Sequence, residues 1–206
     1  MKTKSLLIST LALTALSTGG LFATETPKVG APAPGFTLTD SNGKTHSLGD
    51  FKGKYVVLEW FNPGCPFVMK HYKSENMQKL QKEFTGKAVV WLTIDSSAPG
   101  KEGSLSPADA NKQMSDWKMN STALLLDGDG KVGHEYGATN TPHMYVINPK
   151  GELIYTGAID NKPTANPDDI AGANNYVRAA LDEAMTGKAV ATPTSKAYGC
   201  SIKYSR

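Results

Sequence analysis

The chain has 206 residues, 39% of them hydrophobic and 20% charged, with a formal net charge of +3. This balance suits one globular domain better than a disordered or coiled-coil chain. Two of the positive charges, Lys2 and Lys4, stand ahead of an N-terminal apolar run, so the charge left for the rest is too small to suggest nucleic acid or an anionic membrane surface as a partner.

That apolar run, Leu6 to Ala23, is broken by Ser9, Thr10, Thr14, Ser17 and Thr18 and ends in small residues. The layout is that of a secretory signal peptide over residues 1–23, cleaved near Gly20 or Ala23. An uncleaved membrane anchor is the alternative, and the interruptions weigh against it. No cysteine follows for lipid attachment. The mature protein is therefore expected to be soluble and exported, periplasmic or extracellular, with no stable membrane insertion after cleavage. In an oxidising compartment its two cysteines, Cys65 and Cys200, are either one disulfide or a reactive pair.

Residues 24–35 are rich in Pro and Gly and read as a lead-in segment, followed by a domain over 36–187 and a tail over 188–206. Phe36 to Thr39 and Thr45 to Leu48 alternate around Ser41-Asn42-Gly43, a hairpin signal. The run "YVVLEWF", Tyr55 to Phe61, is nearly continuous in apolar residues, as expected of a strand buried on both faces. After Cys65 the pattern turns helical, with Val68, Tyr72, Leu80 and Phe84 inward and a break at Ser74 to Asn76. "AVVWLTI" is a second buried strand. A loop from Ser96 to Ser106 precedes a helix opened by Pro107 and ending near Met119. "TALLLD" is a third strand, and "HMYVINPKGELIYTGAI" a hairpin turning at Asn148 to Gly151. Asp168 to Met185 is predicted as one amphipathic helix, with Ile170, Ala173, Val177, Leu181 and Ala184 at helical spacing and Gly187 past its end. The order predicts an α/β fold with helices on both faces of a sheet.

Gly64 and Pro66 place Cys65 at a helix N-terminus. Unpaired backbone N–H groups and the helix dipole there favour the thiolate, the nucleophilic form of cysteine. The sequence "KYVVLEWFNPGCPFV" together with "TIDSS", "LLLDGDGKVGHEYG" and "TNTPHMYVINPKGELIYTGAI" resembles the thioredoxin-like redoxin family, which includes thioredoxins and peroxiredoxins, from Val29 to about Met185. It is similar in particular to an exported subgroup with an "NPxCPFV" block and a C-terminal "YGCSIKY" block. The resemblance implies a thioredoxin-like fold with a central mixed sheet, an N-terminal hairpin and an extended C-terminal tail. It also implies that Thr141-Pro142 is the family's cis-proline, packed beside the reactive cysteine, and that Pro66 forms the family's Cys-Pro pair.

Two departures narrow the chemistry. A C-x-x-C motif would need a second cysteine at Val68. A peroxiredoxin carries Thr or Ser where Asn62 stands, and an arginine beside the thiolate, whereas the arginines here are Arg178 and Arg206. Asn62 retains a hydrogen-bond donor. With no local partner for Cys65, Cys200 is the candidate resolving cysteine; the stretch from Gly187 extends up to roughly 45 Å, against a domain radius of gyration near ~16 Å. A permanent structural bridge in a non-enzymatic binding module is the alternative, and closing a loop of about 135 residues would stabilise by roughly 5 kcal/mol.

His143, next to the presumed cis-proline, is expected near Cys65 as a polarising group or proton donor, with a plain strand-end histidine as the alternative. His71, six positions past Cys65, is expected at the surface. Trp60, Phe61 and Phe67 read as core or the wall of an apolar groove. A soft-metal site of Cys65, His143 and Cys200 lacks the second helix-end cysteine of copper-binding relatives, "DGDG" at Asp127 to Gly130 reads as a turn rather than a calcium loop, and Asn120-Ser121-Thr122 fits a glycosylation acceptor. No cofactor and no metal are expected. The expected partners are a thiol or disulfide electron-donor protein and a peroxide or protein disulfide as substrate; the sequence sets no oligomeric state.

Overall fold

The continuous apolar runs form the middle of a seven-stranded mixed sheet in a computed structural model that describes residues 26–205. The expected signal peptide lies outside the described residues. Among those described, no helix is long and apolar enough to cross a membrane.

The strands are β1 (Thr37–Asp40), β2 (Thr45–Ser47), β3 (Val56–Trp60), β4 (Val90–Asp95), β5 (Ala123–Leu126), β7 (His143–Ile147) and β8 (Leu153–Gly157), in the spatial order β2-β1-β5-β4-β3-β7-β8. β3, β4 and β5 run parallel, with Val56 opposite Val90 and Leu92 opposite Ala123, and β7 lies antiparallel to β3 with Val56 opposite Ile147. β3 and β4 are buried at every position, which is why they read as nearly continuous apolar runs. A separate two-stranded ribbon pairs β6 (Asn140–Thr141) with β9 (Cys200–Ser201).

Alternation along β3 divides the core. Val57 and Phe61 join Cys65, Val68, Tyr72, Leu80, Phe84, Met144 and Val177 on one face. Val56, Leu58 and Trp60 join Phe36, Tyr136, Tyr145 and Ile202 on the other. Helices α1 (Pro66–Lys73), α2 (Asn76–Gly86), α3 (Pro107–Asp116) and α5 (Tyr176–Met185) contribute to the first face, and α4 (Lys131–Tyr136) to the second.

Three element boundaries differ from expectation. The helix predicted over Asp168 to Met185 is two pieces, a 3-10 turn at Pro167–Gly172 and then α5; Ala173 is extended, and the Asn175 side chain accepts from Arg178 N at 2.9 Å to start a new helix. α3 stops at Asp116, short of Met119. α4 was not foreseen: Asp127 accepts from Val132 N at 3.1 Å and Gly133 N at 2.8 Å, so one side chain caps its first turn. The same bonds occupy the "DGDG" carboxylate as part of a turn.

Candidate active site

β3 runs directly into the site. Phe61 N donates to Ile94 O at 2.9 Å, extending the pairing by one residue before the chain turns. Asn62 builds that turn: its Oδ1 accepts from Gly64 N at 2.8 Å, its backbone carbonyl from Cys65 N at 3.1 Å, and its Nδ2 donates to Glu102 O at 3.2 Å. Asn62 thus shapes the loop, and none of its side-chain bonds goes to the thiol. Cys65 is the N-cap of α1 and Pro66 its first residue, while the Cys65 carbonyl accepts from Val68 N and Met69 N at 3.0 and 2.9 Å.

The Cys65 thiol makes no cap bond of its own; it donates to Thr141 O at 3.1 Å. The Thr141-Pro142 peptide is cis. β9 then places Cys200 directly opposite Thr141. The structure therefore gathers Cys65, Pro66, Thr141, Pro142 and Cys200 at one point, with Cys65 only 1% exposed and Cys200 half-buried. Both cysteines are free thiols here.

The Cys200 thiol is pushed up to about 12, by burial first and then by its hydrogen bond to Cys65 and the charge of Cys65. A group so held stays protonated and donates toward its neighbour. Cys65 stands at the helix N-terminus, with Cys200 beside it on the tail.

The tail that carries Cys200 is seated on both sides of it. Gly199, at φ +124°, passes so close to Thr141 that a Cβ there would lie 2.1 Å from the carbonyl oxygen. On the far side, Ile202 enters the second core face, and Tyr204 donates to Ala138 O at 2.8 Å and stacks on His134.

His143 is not part of this group. Trp60 is its register partner, its ring stacks on Tyr145 of the opposite core face, and its ring contacts are Thr139, Tyr145 and Thr156. Strand alternation gives the reason, because its neighbour Met144 takes the Cys65 face. Burial lowers His143 to about 4, so the ring is neutral near pH 7. Its position also separates the three groups of the alternative metal site, and among the described residues no three His, Cys, Asp or Glu side chains are arranged to hold an ion. His71, expected at the surface, is fully buried, covered by the tail residue Tyr198.

Glu59 was not foreseen as a site feature, although a lone charge inside an apolar strand is a visible signal. It is 0% exposed, between Val57 and Phe61 on the Cys65 face, and accepts from Tyr72 OH and Trp91 Nε1 at 2.8 Å and Gln81 Nε2 at 3.1 Å. Burial outweighs those bonds and holds its carboxyl above the usual range.

A family model described as Redoxin matches residues 28–176. The chain belongs to the redoxin family. Among curated relatives, this redoxin is 28% identical over 130 residues to "Thiol-disulfide oxidoreductase ResA" of Bacillus subtilis, covering 63% of this chain and 67% of that one. It is 29% identical over 153 residues to "Peroxiredoxin-2" of Macaca fascicularis, covering 64% and 69%. A solved structure of a hypothetical protein from Sinorhizobium meliloti superposes with a TM-score of 0.74 at 22% identity, over 88% of this chain and 97% of the other. The thioredoxin domain of a thiol-disulfide oxidoreductase from Bacteroides vulgatus also superposes, with a TM-score of 0.52 at 23% identity over 71% of this chain and 98% of the other, and the fold is thioredoxin-like. Where thioredoxins carry the second cysteine of C-x-x-C, this redoxin has Val68, 1% exposed in the core.

Proposed function

We propose that this redoxin is an exported enzyme of thiol–disulfide exchange in which Cys65 attacks and Cys200 resolves. Family membership gives the coarse class, a thiol-dependent oxidoreductase working with thiol or disulfide partners. The observation that carries the finer reading is the β6–β9 pairing, which sets Cys200 opposite Thr141 while the carbonyl of Thr141 accepts the Cys65 thiol at 3.1 Å. The Cys65 thiolate attacks a substrate disulfide and releases one substrate thiolate. Cys200, giving up its proton, then attacks the Cys65 sulfur, forms the Cys65–Cys200 disulfide and expels the second thiolate. An electron-donor thiol protein restores both cysteines by the reverse exchange.

Exchange is preferred to peroxide reduction because Arg178, the sole arginine among the described residues, is bound to Glu83 at 2.7 Å and lies over the Phe84 ring. Export is supported by the pattern of residues 1–23, and it would place the pair in an oxidising setting. On this reading 24–35 is a lead-in, 36–187 the domain and 188–206 the tail that supplies Cys200.

The test is turnover with a small disulfide and a thiol reductant, with oxidised masses read after alkylation. Wild type should lose both thiols together, Cys200→Ser should stall as a mixed disulfide on Cys65, and Cys65→Ser should not turn over. Full turnover and an unchanged oxidised mass in Cys200→Ser would exclude the proposal.

A further inference from the structure

Past Cys65, two ionisable side chains of α1 and one from the segment after β8 are buried together without a part in the exchange. Lys70 is 2% exposed, His71 0% and Asp160 2%. Groups of this kind stay buried only when they are paired and hydrogen-bonded. Asn76 Nδ2 donates to His71 Nδ1 at 2.9 Å, which makes Nδ1 the acceptor and leaves the ring proton on Nε2. Burial keeps that ring neutral near pH 7. Nε2 faces the Tyr198 hydroxyl at 3.3 Å, and the hydroxyl donates to Asp160 Oδ1 at 2.6 Å. Lys70 Nζ lies 3.7 Å from Asp160 Oδ2 and donates to Lys162 O at 2.7 Å.

Two members of this group, His71 and Asp160, meet at the hydroxyl of a single tail residue, Tyr198. Tyr198 also meets the edge of Phe67, the second residue of α1, at 5.8 Å between ring centroids. Gly199 follows, its carbonyl accepting from Asn140 Nδ2 at 3.0 Å, and Cys200 comes next. The Tyr198 hydroxyl is thus the last side-chain anchor before the resolving cysteine, and its partners are fixed on α1 and in the segment after β8.

We propose that Tyr198 is a positioning residue for the resolving step, its hydroxyl held between His71 and Asp160 so that Cys200 meets the Cys65 sulfur once Cys65 carries a mixed disulfide. The inference rests on the reading of Cys200 as the resolving thiol. In that step the Cys200 sulfur forms a bond to the Cys65 sulfur, the bond from Cys65 to the substrate sulfur breaks, and the substrate thiolate leaves with the electron pair and takes up the proton lost by Cys200. A loosened tail slows this closure and does not slow the first attack, which Cys65 makes alone.

Tyr198→Phe removes only the hydroxyl and keeps the ring against Phe67. Mixing the reduced protein with one equivalent of 4,4′-dithiodipyridine releases one pyridinethione when Cys65 attacks and a second when Cys200 closes the disulfide, so absorbance follows both steps. We expect the first phase of Tyr198→Phe to be no slower than in wild type and the second to slow by about tenfold to a hundredfold, the scale of a lost charge-assisted hydrogen bond or a misplacement of roughly 1 Å. Asp160→Asn, which weakens the same acceptor, should show the same selective slowing. Equal second phases in Tyr198→Phe and wild type, or equal slowing of both phases, would overturn the inference. A second phase that persists in Cys200→Ser would instead remove the exchange reading beneath it.

Discussion

Replacing Gly199 with alanine perturbs the site at its tightest point. The added Cβ would sit 2.1 Å from Thr141 O and 2.9 Å from Thr141 C, at a residue whose φ is +124°. Carbon and a carbonyl oxygen approach to about 3.3 Å at best, so something must move by roughly 1 Å. Thr141 has little freedom to do so, since its carbonyl accepts the Cys65 thiol and its own position is paired with Cys200. The tail must move instead. The backbone strain alone costs about 1–3 kcal/mol, and a displacement of this size at reacting atoms costs about a hundredfold in rate. We expect Gly199→Ala to fold, to close the Cys65–Cys200 disulfide about a hundredfold more slowly, and to expose Cys65 to faster alkylation, both read by mass after timed quenching. Closure and alkylation rates equal to wild type would refute the claim that this contact sets Cys200 on Cys65.

Glu59→Ala leaves Trp91 Nε1, Tyr72 OH and Gln81 Nε2 without their acceptor in a fully buried site; at about 1–3 kcal/mol for each orphaned donor, urea unfolding should show a loss of at least ~3 kcal/mol, and a loss below about 1 kcal/mol would contradict the network. His71 and His143 are each lowered from 6.5 to about 4, chiefly by burial. Their folded states bind protons less readily than the unfolded chain, so the stability they contribute is present above about pH 6.5 and is lost as pH falls toward 4, by up to roughly 3 kcal/mol per histidine. Stability measured across that window should fall less steeply in His143→Gln than in wild type, and parallel curves would refute the assignment. Arg178→Gln should leave exchange turnover unchanged and cost at most about 1 kcal/mol, because its pair with Glu83 is partly exposed; a large loss of turnover would restore an arginine to the mechanism.

The parts of this molecule that sequence reveals are those whose physics is local. β3 and β4 read as strands because burial on both faces makes them mostly apolar, and Asn42-Gly43 marks the β1–β2 hairpin without any tertiary information. Cys65 reads as an N-cap because Gly64 and Pro66 flank it. α4 escaped because it has six residues and is started by the side chain of Asp127, just ahead of it, not by an apolar period. The tail escaped for a related reason: Tyr198, Ile202 and Tyr204 each occupy a different seat built by residues far away in sequence, so their spacing follows no helix or strand repeat. Helical rotation carries His71 away from the thiol and toward an expected surface, but Asn76, Asp160 and the docked tail residue Tyr198 close over that side. His143 was within reach of sequence reasoning, since alternation along β7 sends it and Met144 to opposite faces.

A redox titration of the purified protein, with the Cys65 and Cys200 thiols followed by alkylation and mass, separates a working pair from a staple. Exchange between the two thiols predicts that they oxidise together with a midpoint above about −250 mV, within the working range of exchange enzymes. A midpoint below about −300 mV would identify a structural bridge holding the tail to the domain, and catalysis through Cys200 would be contradicted.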